Sequence, residues 1–581
     1  MCLIEKLKYS PYYRNLPLMI RLSSCACILA TLLTPILLSA QVLLDERYEE
    51  WSAIDRHMDG DDVEAGRVDI ISTGATMDQQ YLYLYLEIER ERILQETEGL
   101  QLLLDIDDDI TTGELINGLG VDLLFDFGAR AGVSALEVRR SYSHDDIGLV
   151  TSPTVSSKEW EILVHRSAPT DSDISYSISD SCKYAWRFVS GDKAPDEDGL
   201  RVDRAADYNR QYDIDLSVAA GTDLRIISYN VLRDRPLESS SARAALGRVL
   251  RTLDPDVIAF QEIYDHSSLE VAAMVNDLHP PVLGEQWYHA QVQPDIILVS
   301  KANITATRSS DGNGYFRISH AGRDWLIANC HLPCCDNDFG RRQEIDQILQ
   351  ILRDVQAGTH PLEVQEDAPV IILGDMNLVG RSETRDALLI GDIDRNALYG
   401  PDFNPDWGSG PLTDAVSVTT GLPATITWNP SGGSFSPGRL DYMIYSPSSV
   451  EMLGSGALLT SSLTPEFIAT TELRVDDTDR VSDHLPLYAD FRAVGTVSSA
   501  ELYEKDDNRR GVPKYHVRVG STRILPKGTS SVSLRSPYEA KGRSIETVIH
   551  QITIPSIHPG MYIALLTHED GSAHHEMWLL H

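Results

Sequence analysis

Between residues 224 and 491 six apolar runs each meet a polar side chain at one end, and the clearest is Ala368 to Asn377, APVIILGDMN. A run of this kind is buried on both faces, so it demands a packed sheet with other layers against it. Alternate side chains of a strand share a face, so Asp375 and Asn377 are predicted to point together while Met376 returns to the core. A carboxylate so placed can take a proton from water, and an amide can hold an oxyanion. Taken alone, the stretch reads equally well as an Asx turn closing a buried strand.

The other five runs repeat the pattern. Leu224 to Val231 carries Asn230 at its far end, Pro255 to Glu262 ends on an acid, and Trp325 to Leu332 ends around His331. Leu440 to Tyr445 begins with Asp441 beside it, and His484 to Phe491 is preceded by Asp483. Asp295 to Ser300 and Tyr315 to His320 are further strands. Between them Ala242 to Leu253, Ser268 to Leu278 and Arg341 to Gln356 have helical spacing, the last with Ile345, Ile348, Leu349 and Leu352 on one face. For any one strand end a cap or a surface turn is the simpler reading. Six in one alternating β and α segment are expected to converge along one edge of a packed sheet.

The flanks have a different character, and 581 residues are too many for one core. Residues 41–191 are β-rich and acidic. Tyr81 to Glu89 alternates strictly, and Leu100 to Ile106 and Gly120 to Phe127 are strand candidates, which suits an antiparallel sandwich. Asp105, Asp107 and Asp109, followed by Gly113, make a turn whose oxygens could hold a structural Ca²⁺, or else a solvated acidic loop. Residues 192–222 read as a linker and 223–494 as the central domain. Residues 495–581, with nearly balanced charge, read as a small β-sandwich or sorting-type domain.

Residues 1–40 read as a signal peptide. Lys6, Lys8, Arg14 and Arg21 precede an apolar segment, Cys25 to Leu38, that ends in Ser39-Ala40. Pro35 and its short length argue against a spanning helix. The expected location is therefore secreted: extracellular, periplasmic or cell surface. Cys182, Cys330, Cys334 and Cys335 would remain, in a compartment that permits disulfides. Adjacent Cys334 and Cys335 are not expected to bridge each other, because that ring is strained. A net charge of −37 without any basic run repels nucleic acid and anionic membrane unless metal ions or a local patch intervene.

Six pieces in order carry a resemblance: Ile227-Ser228-Tyr229-Asn230-Val231, Phe260-Gln261-Glu262, Cys330-His331-Leu332, Gly374-Asp375-Met376-Asn377, Arg439-Leu440-Asp441-Tyr442 and Ser482-Asp483-His484-Leu485-Pro486. The segment 223–494 resembles the endonuclease/exonuclease/phosphatase family, DNase I-like, AP endonuclease-like and sphingomyelinase-like members included. The resemblance implies an α/β fold, a four-layer α/β sandwich, flanked here by the N-terminal β-sandwich and the small C-terminal β-rich domain. It implies a phosphoesterase in which Glu262 and Asp483 hold Mg²⁺, with Mn²⁺ or Ca²⁺ as alternatives, and Asn230 orders that site. Asp375 would activate water, Asn377 and His331 would contact the phosphate, and His484 would act at the phosphoryl group with Asp441 behind it. The implied partner is a phosphate-ester substrate: nucleic acid, a lipid head group or a small molecule. No stable protein partner is implied, and the N-terminal β-domain, which resembles secreted carbohydrate-binding sandwiches, could contact glycan or a surface. The basic surface of a DNA binder is missing, and Pro333-Cys334-Cys335-Asp336 departs from the relatives. The alternative is a non-catalytic extracellular binding or adhesion protein on an enzyme-like scaffold.

Overall fold

The structure is a computed structural model that describes residues 42–60, 62–63, 66–136, 138–205, 214–408 and 410–494, together with the backbone of strands between 514 and 580. The expected signal peptide lies outside the described residues. The chain up to Val494 is one compact unit, and Gly495–His581 is a second. The second unit holds a five-stranded and a two-stranded sheet, in keeping with its β-rich sequence.

Two antiparallel sheets, of five and seven strands, form the N-terminal part. Period-two alternation explains how they sit. In the strand Tyr81–Arg92, Leu82, Leu84 and Leu86 point into the core between the two sheets, with Leu102, Leu104, Trp160 and Trp186. Tyr81, Tyr83 and Tyr85 point the other way and join the core of the central domain. Each such buried side chain contributes about 1.5–3 kcal/mol relative to exposure. The N-terminal part therefore packs on the central domain instead of hanging from a tether. Leu44 adds a backbone bridge, its N–H bonding Pro423 O at 2.9 Å.

The expected linker requires a correction. Lys193–Ala194 and Leu200–Asp203 are strands paired with Ser181–Phe188. Asp192 is buried, with its carboxylate accepting from Ile70 N–H at 2.6 Å and Lys193 N–H at 2.7 Å. Charge and a proline made this segment look aperiodic, yet it finishes a sheet, so any linker begins after Asp203.

The central domain is built on two six-stranded sheets. One runs Tyr288–Gln293, Ile296–Ser300, Val257–Gln261, Leu224–Asn230, Leu487–Ala493 and Val450–Ala457. The other runs Asn303–Ser310, Asn313–His320, Arg323–His331, Val370–Asp375, Asp441–Tyr445 and Thr413–Asp414. Ile226, Val257 and Leu298 of the first meet Ile327, Ile371 and Met443 of the second in a shared core. The outward residues of the first sheet, Ile227 and Ile258 among them, pack with Leu246, Val249 and Val275 of the helices Ser240–Leu253 and Ser268–Leu278. Those of the second, Ala328, Ile372 and Ile444, pack with Ile345, Ile348, Leu349 and Leu352 of Asp338–Gln356. The periodicity placed these helices to within three residues. Their starts follow from capping: Ser267 and Glu270 form a capping box, and the Asn337 side chain accepts from Gly340 N–H.

Candidate active site

Register brings the polar strand ends together. His331 lies directly across from Asp375, and Asp375 directly across from Asp441, so the three occupy neighbouring strands of one sheet at the same level. In the facing sheet Asn230 lies across from Gln261, which places Glu262 one residue beyond. Gly374 makes the close approach possible. Its φ is +132°, and a Cβ there would sit 1.9 Å from Cys330 O, so no side chain fits.

Asn230 joins the two sheets at the site. Its Nδ2 donates to Glu262 Oε1 at 3.0 Å and to Asp375 Oδ2 at 3.0 Å, while its Oδ1 accepts from Leu232 N–H at 3.0 Å. The second Glu262 oxygen accepts from Arg233 N–H at 3.1 Å. Asp375 Oδ1 accepts from Asn377 N–H at 3.0 Å. The strand stops at Asp375, and Asn377 follows it with φ of +47°, so these two are turn neighbours and not alternate residues of one strand as predicted. Asn377 Nδ2 donates to Leu332 O at 3.0 Å, and Met376 is buried as expected.

Two histidines face Asp375, each backed by a carboxylate. His484 Nδ1 is 2.8 Å from Asp441 Oδ2, and its Nε2 is 3.6 Å from Asp375 Oδ2. His331 Nδ1 is 2.6 Å from Asp295 Oδ2, and its Nε2 is 3.7 Å from Asp375 Oδ2. Contacts of 3.6 and 3.7 Å are ion-pair distances beyond a hydrogen bond, so the three groups look onto one small space. Burial pulls the His484 imidazolium down, but Asp441 and Asp375 outweigh it and raise it to about 10. Burial opposes His331 in the same way, and its bond to Asp295 with the charge of Asp375 raises it to about 8. Burial pushes the Asp441 carboxyl up, and His484 pulls it part of the way back. Thr427 Oγ1 donates to the same Asp441 oxygen at 2.9 Å.

Of the eight residues singled out in the sequence, seven meet here, and the eighth, Asp483, lies beside them next to His484 in the chain. Asp483 Oδ2 accepts from the Trp428 indole N–H at 3.0 Å, and among the described residues Asp483 joins no cluster of three metal-ligating side chains. Glu262 clusters instead with His331 and Asp375, their ligand atoms within 4.8 Å of one another, and Asp375 clusters likewise with Asp441 and His484. Asp295 was missed as a functional residue, although it precedes a buried strand as the other polar groups do. In the acidic turn, Asp105 and Asp107 cluster with Asp122 among the described residues, and the Asp109 carboxylate accepts from Thr111 N–H at 2.9 Å. Cys182 and Cys330 are buried free thiols, and Cys334 and Cys335 are exposed with Sγ atoms 2.6 Å apart.

A carboxylate set between two carboxylate-backed imidazoles, at one end of a helix-flanked pair of sheets, is an arrangement that can give and take protons at one small space. Residues 227–484 match the sequence model of the Endonuclease/Exonuclease/phosphatase family. The match takes in all six polar strand ends and places on the central domain the likeness to a family of hydrolases acting on phosphoric ester bonds. Among solved structures it is similar to D. rerio TDP2 complexed with a single-strand DNA product, at 17% identity over 46% of this chain and 98% of that one, TM-score 0.30. It is also similar to the human Nocturnin catalytic domain with bound sulfate, at 15% identity over 48% and 97%, TM-score 0.30. ANGEL2, a 2',3'-cyclic phosphatase in complex with adenosine-2',3'-vanadate, is similar at 19% identity over 48% and 97%, TM-score 0.32. No match was found among curated protein sequences.

Proposed function

We propose that the protein is an exported, metal-dependent phosphoesterase in which Asp375 activates the attacking water, on a central domain layered as a four-layer α/β sandwich. The observation that carries this reading is the single amide of Asn230 bonded to both Glu262 and Asp375. It fixes two carboxylates side by side, an oxygen-rich set that suits a hard divalent cation such as Mg²⁺, with Mn²⁺ or Ca²⁺ acceptable to the same oxygens. Glu262 would hold the ion, with Asp375 close enough to share it. When bound, such an ion neutralises phosphoryl oxygens.

The chain's own groups supply the rest. Asp375 Oδ2 accepts a proton from water and orients it toward phosphorus. His484, whose Nδ1 is tied to Asp441, presents Nε2 as a proton donor to a phosphoryl oxygen, and His331, tied to Asp295, presents Nε2 from the other side. The amide hydrogen of Asn377 not engaged by Leu332 is offered to a further oxygen.

The test uses the purified chain from Gln41 onward with plasmid DNA, phospholipid and a chromogenic phosphodiester, with Mg²⁺ and with EDTA. Turnover of at least one ester that EDTA stops supports the proposal. Inactivity on every ester contradicts it and favours a binding protein. Calorimetric titration of Mg²⁺ gives a readout besides activity, with binding weakened in Glu262→Gln. Export is checked by the N-terminus of the secreted protein, expected at Gln41.

A further inference from the structure

The N-terminal β-domain does more than pack against the enzyme: it builds one wall of the active-site cleft. The cleft, about 850 Å³, is lined by Glu262, His331, Asp375 and His484. Ile93 to Glu96, Thr151, Pro153 and Thr154 of the N-terminal domain line it too, together with Val379 and Phe435 of the central domain. A cavity of this size encloses a small organic molecule.

The wall is fastened to the loop that follows Trp428. Ser436 N–H donates to Gln95 Oε1 at 2.8 Å, the Ser436 and Thr151 hydroxyls lie 3.3 Å apart, and Arg439 N–H donates to Thr154 Oγ1 at 2.7 Å. His144 Nε2 is 3.0 Å from Gly433 O, and Ser156 N–H donates to Gly380 O at 2.9 Å. The same loop is anchored to the catalytic end by the Trp428 bond to Asp483. Four of these contacts join the loop to the N-terminal domain and one ties its start to the catalytic end, which makes the loop a fixed partition.

Its chemistry is selective. Ile93, Val379 and Phe435 are half-buried apolar side chains that line the cleft and belong to none of the hydrophobic cores given above, and the Phe435 ring is stacked on one face by Arg130, 4.1 Å from its centroid. Apolar surface left out of these cores and lining the same cleft as Asp375 is suited to an apolar part of a ligand. The cationic complement is small. Arg341 is spent on the carbonyls of Pro333 and Cys335, which leaves Arg233 and Arg381 as the exposed arginines of the cleft. Duplex nucleic acid needs an open face with many phosphate contacts, and a walled cleft in a chain of net charge −37 offers neither.

We infer that the apolar lining supplied by Ile93 from the N-terminal domain and by Val379 and Phe435 from the central domain makes this a hydrolase of small phosphate esters that carry an apolar or aryl group beside the phosphate, and excludes the interior of a duplex. The inference rests on the phosphoesterase activity proposed above and adds its substrate class.

The experiment measures kcat/KM of the same protein, with Mg²⁺, for bis(p-nitrophenyl) phosphate and for methyl p-nitrophenyl phosphate, beside nicking of supercoiled plasmid at equal phosphodiester concentration. The two small esters share a leaving group, so their ratio reports the group that stays on phosphorus. The diaryl ester is expected to be preferred, and Phe435→Ala and Ile93→Ser are each expected to lower that preference about tenfold. Plasmid is expected to be cut at less than about a hundredth of the rate of the diaryl ester. The two variants lie on different domains, so misfolding of one leaves the other to decide. Plasmid nicking at a rate matching the diaryl ester, or a preference unchanged in the folded variants, overturns the inference while leaving the phosphoesterase standing. Absence of turnover on all three esters overturns the activity itself.

Discussion

Oδ2 of Asp375 stands 3.6 Å from Nε2 of His484, and the opposite ring nitrogen of that histidine is held 2.8 Å from Asp441. The imidazole is therefore pinned at one end and presented at the other. Asp441 touches no substrate in this arrangement and acts by positioning and charging His484. Asp441→Asn is expected to lower kcat by about 10–100-fold with little change in KM. Without that carboxylate, the His484 imidazolium loses a partner that raises it to about 10. A histidine that must be protonated to donate then fails sooner as pH rises, so the alkaline limb of the rate profile moves to lower pH. A merely structural role would lower the rate without moving that limb.

Asn230 is buried and spends its side chain on two carboxylates and one backbone N–H. Asn230→Ala removes these bonds together. It is expected to cost about 1–3 kcal/mol of stability, read by urea denaturation. Mg²⁺ affinity, read by calorimetry, is expected to fall about 10–100-fold because Glu262 and Asp375 are no longer held together.

Glu344, half-buried on the helix Asp338–Gln356, accepts from Asn313 Nδ2 at 2.8 Å. Burial raises its carboxyl to about 7. Because the folded value lies above the unfolded one, the folded state keeps the proton where the unfolded chain has lost it. The associated stability is complete below the unfolded value, 4.5, and is lost as pH climbs to about 7. In Glu344→Gln the amide does not titrate. The Tm of the variant relative to wild type, measured in EDTA, is expected to rise by about 2–4 °C between pH 4.5 and 8.

Most of the site was legible in the sequence because each apolar run is buried, which leaves the polar residue at its end only one level of the sheet to occupy. The three long helices were legible from Ile345, Ile348, Leu349 and their counterparts, whose spacing admits one face. What was not legible came from pairings distant in the chain. The orientation of Asp483 is set by Trp428, 55 residues earlier. Asp295 is defined by the ring of His331 on another strand, and Asp122 enters the acidic cluster from outside the Asp105 turn. The alternation of tyrosine and leucine in the strand Tyr81–Arg92 is legible, but only the docking of the two domains shows that both of its faces are inside.

The central claim is that the carboxylate of Asp375 does the chemistry. Asp375→Asn keeps the size and hydrogen-bonding shape of the side chain while removing its charge and its capacity to take a proton. The decisive measurement is the rate of chromogenic phosphodiester hydrolysis by this variant and by wild type, both with Mg²⁺ and with their folds matched by circular dichroism. The rate is expected to fall by about a thousandfold or more. Wild-type turnover in Asp375→Asn would contradict the account.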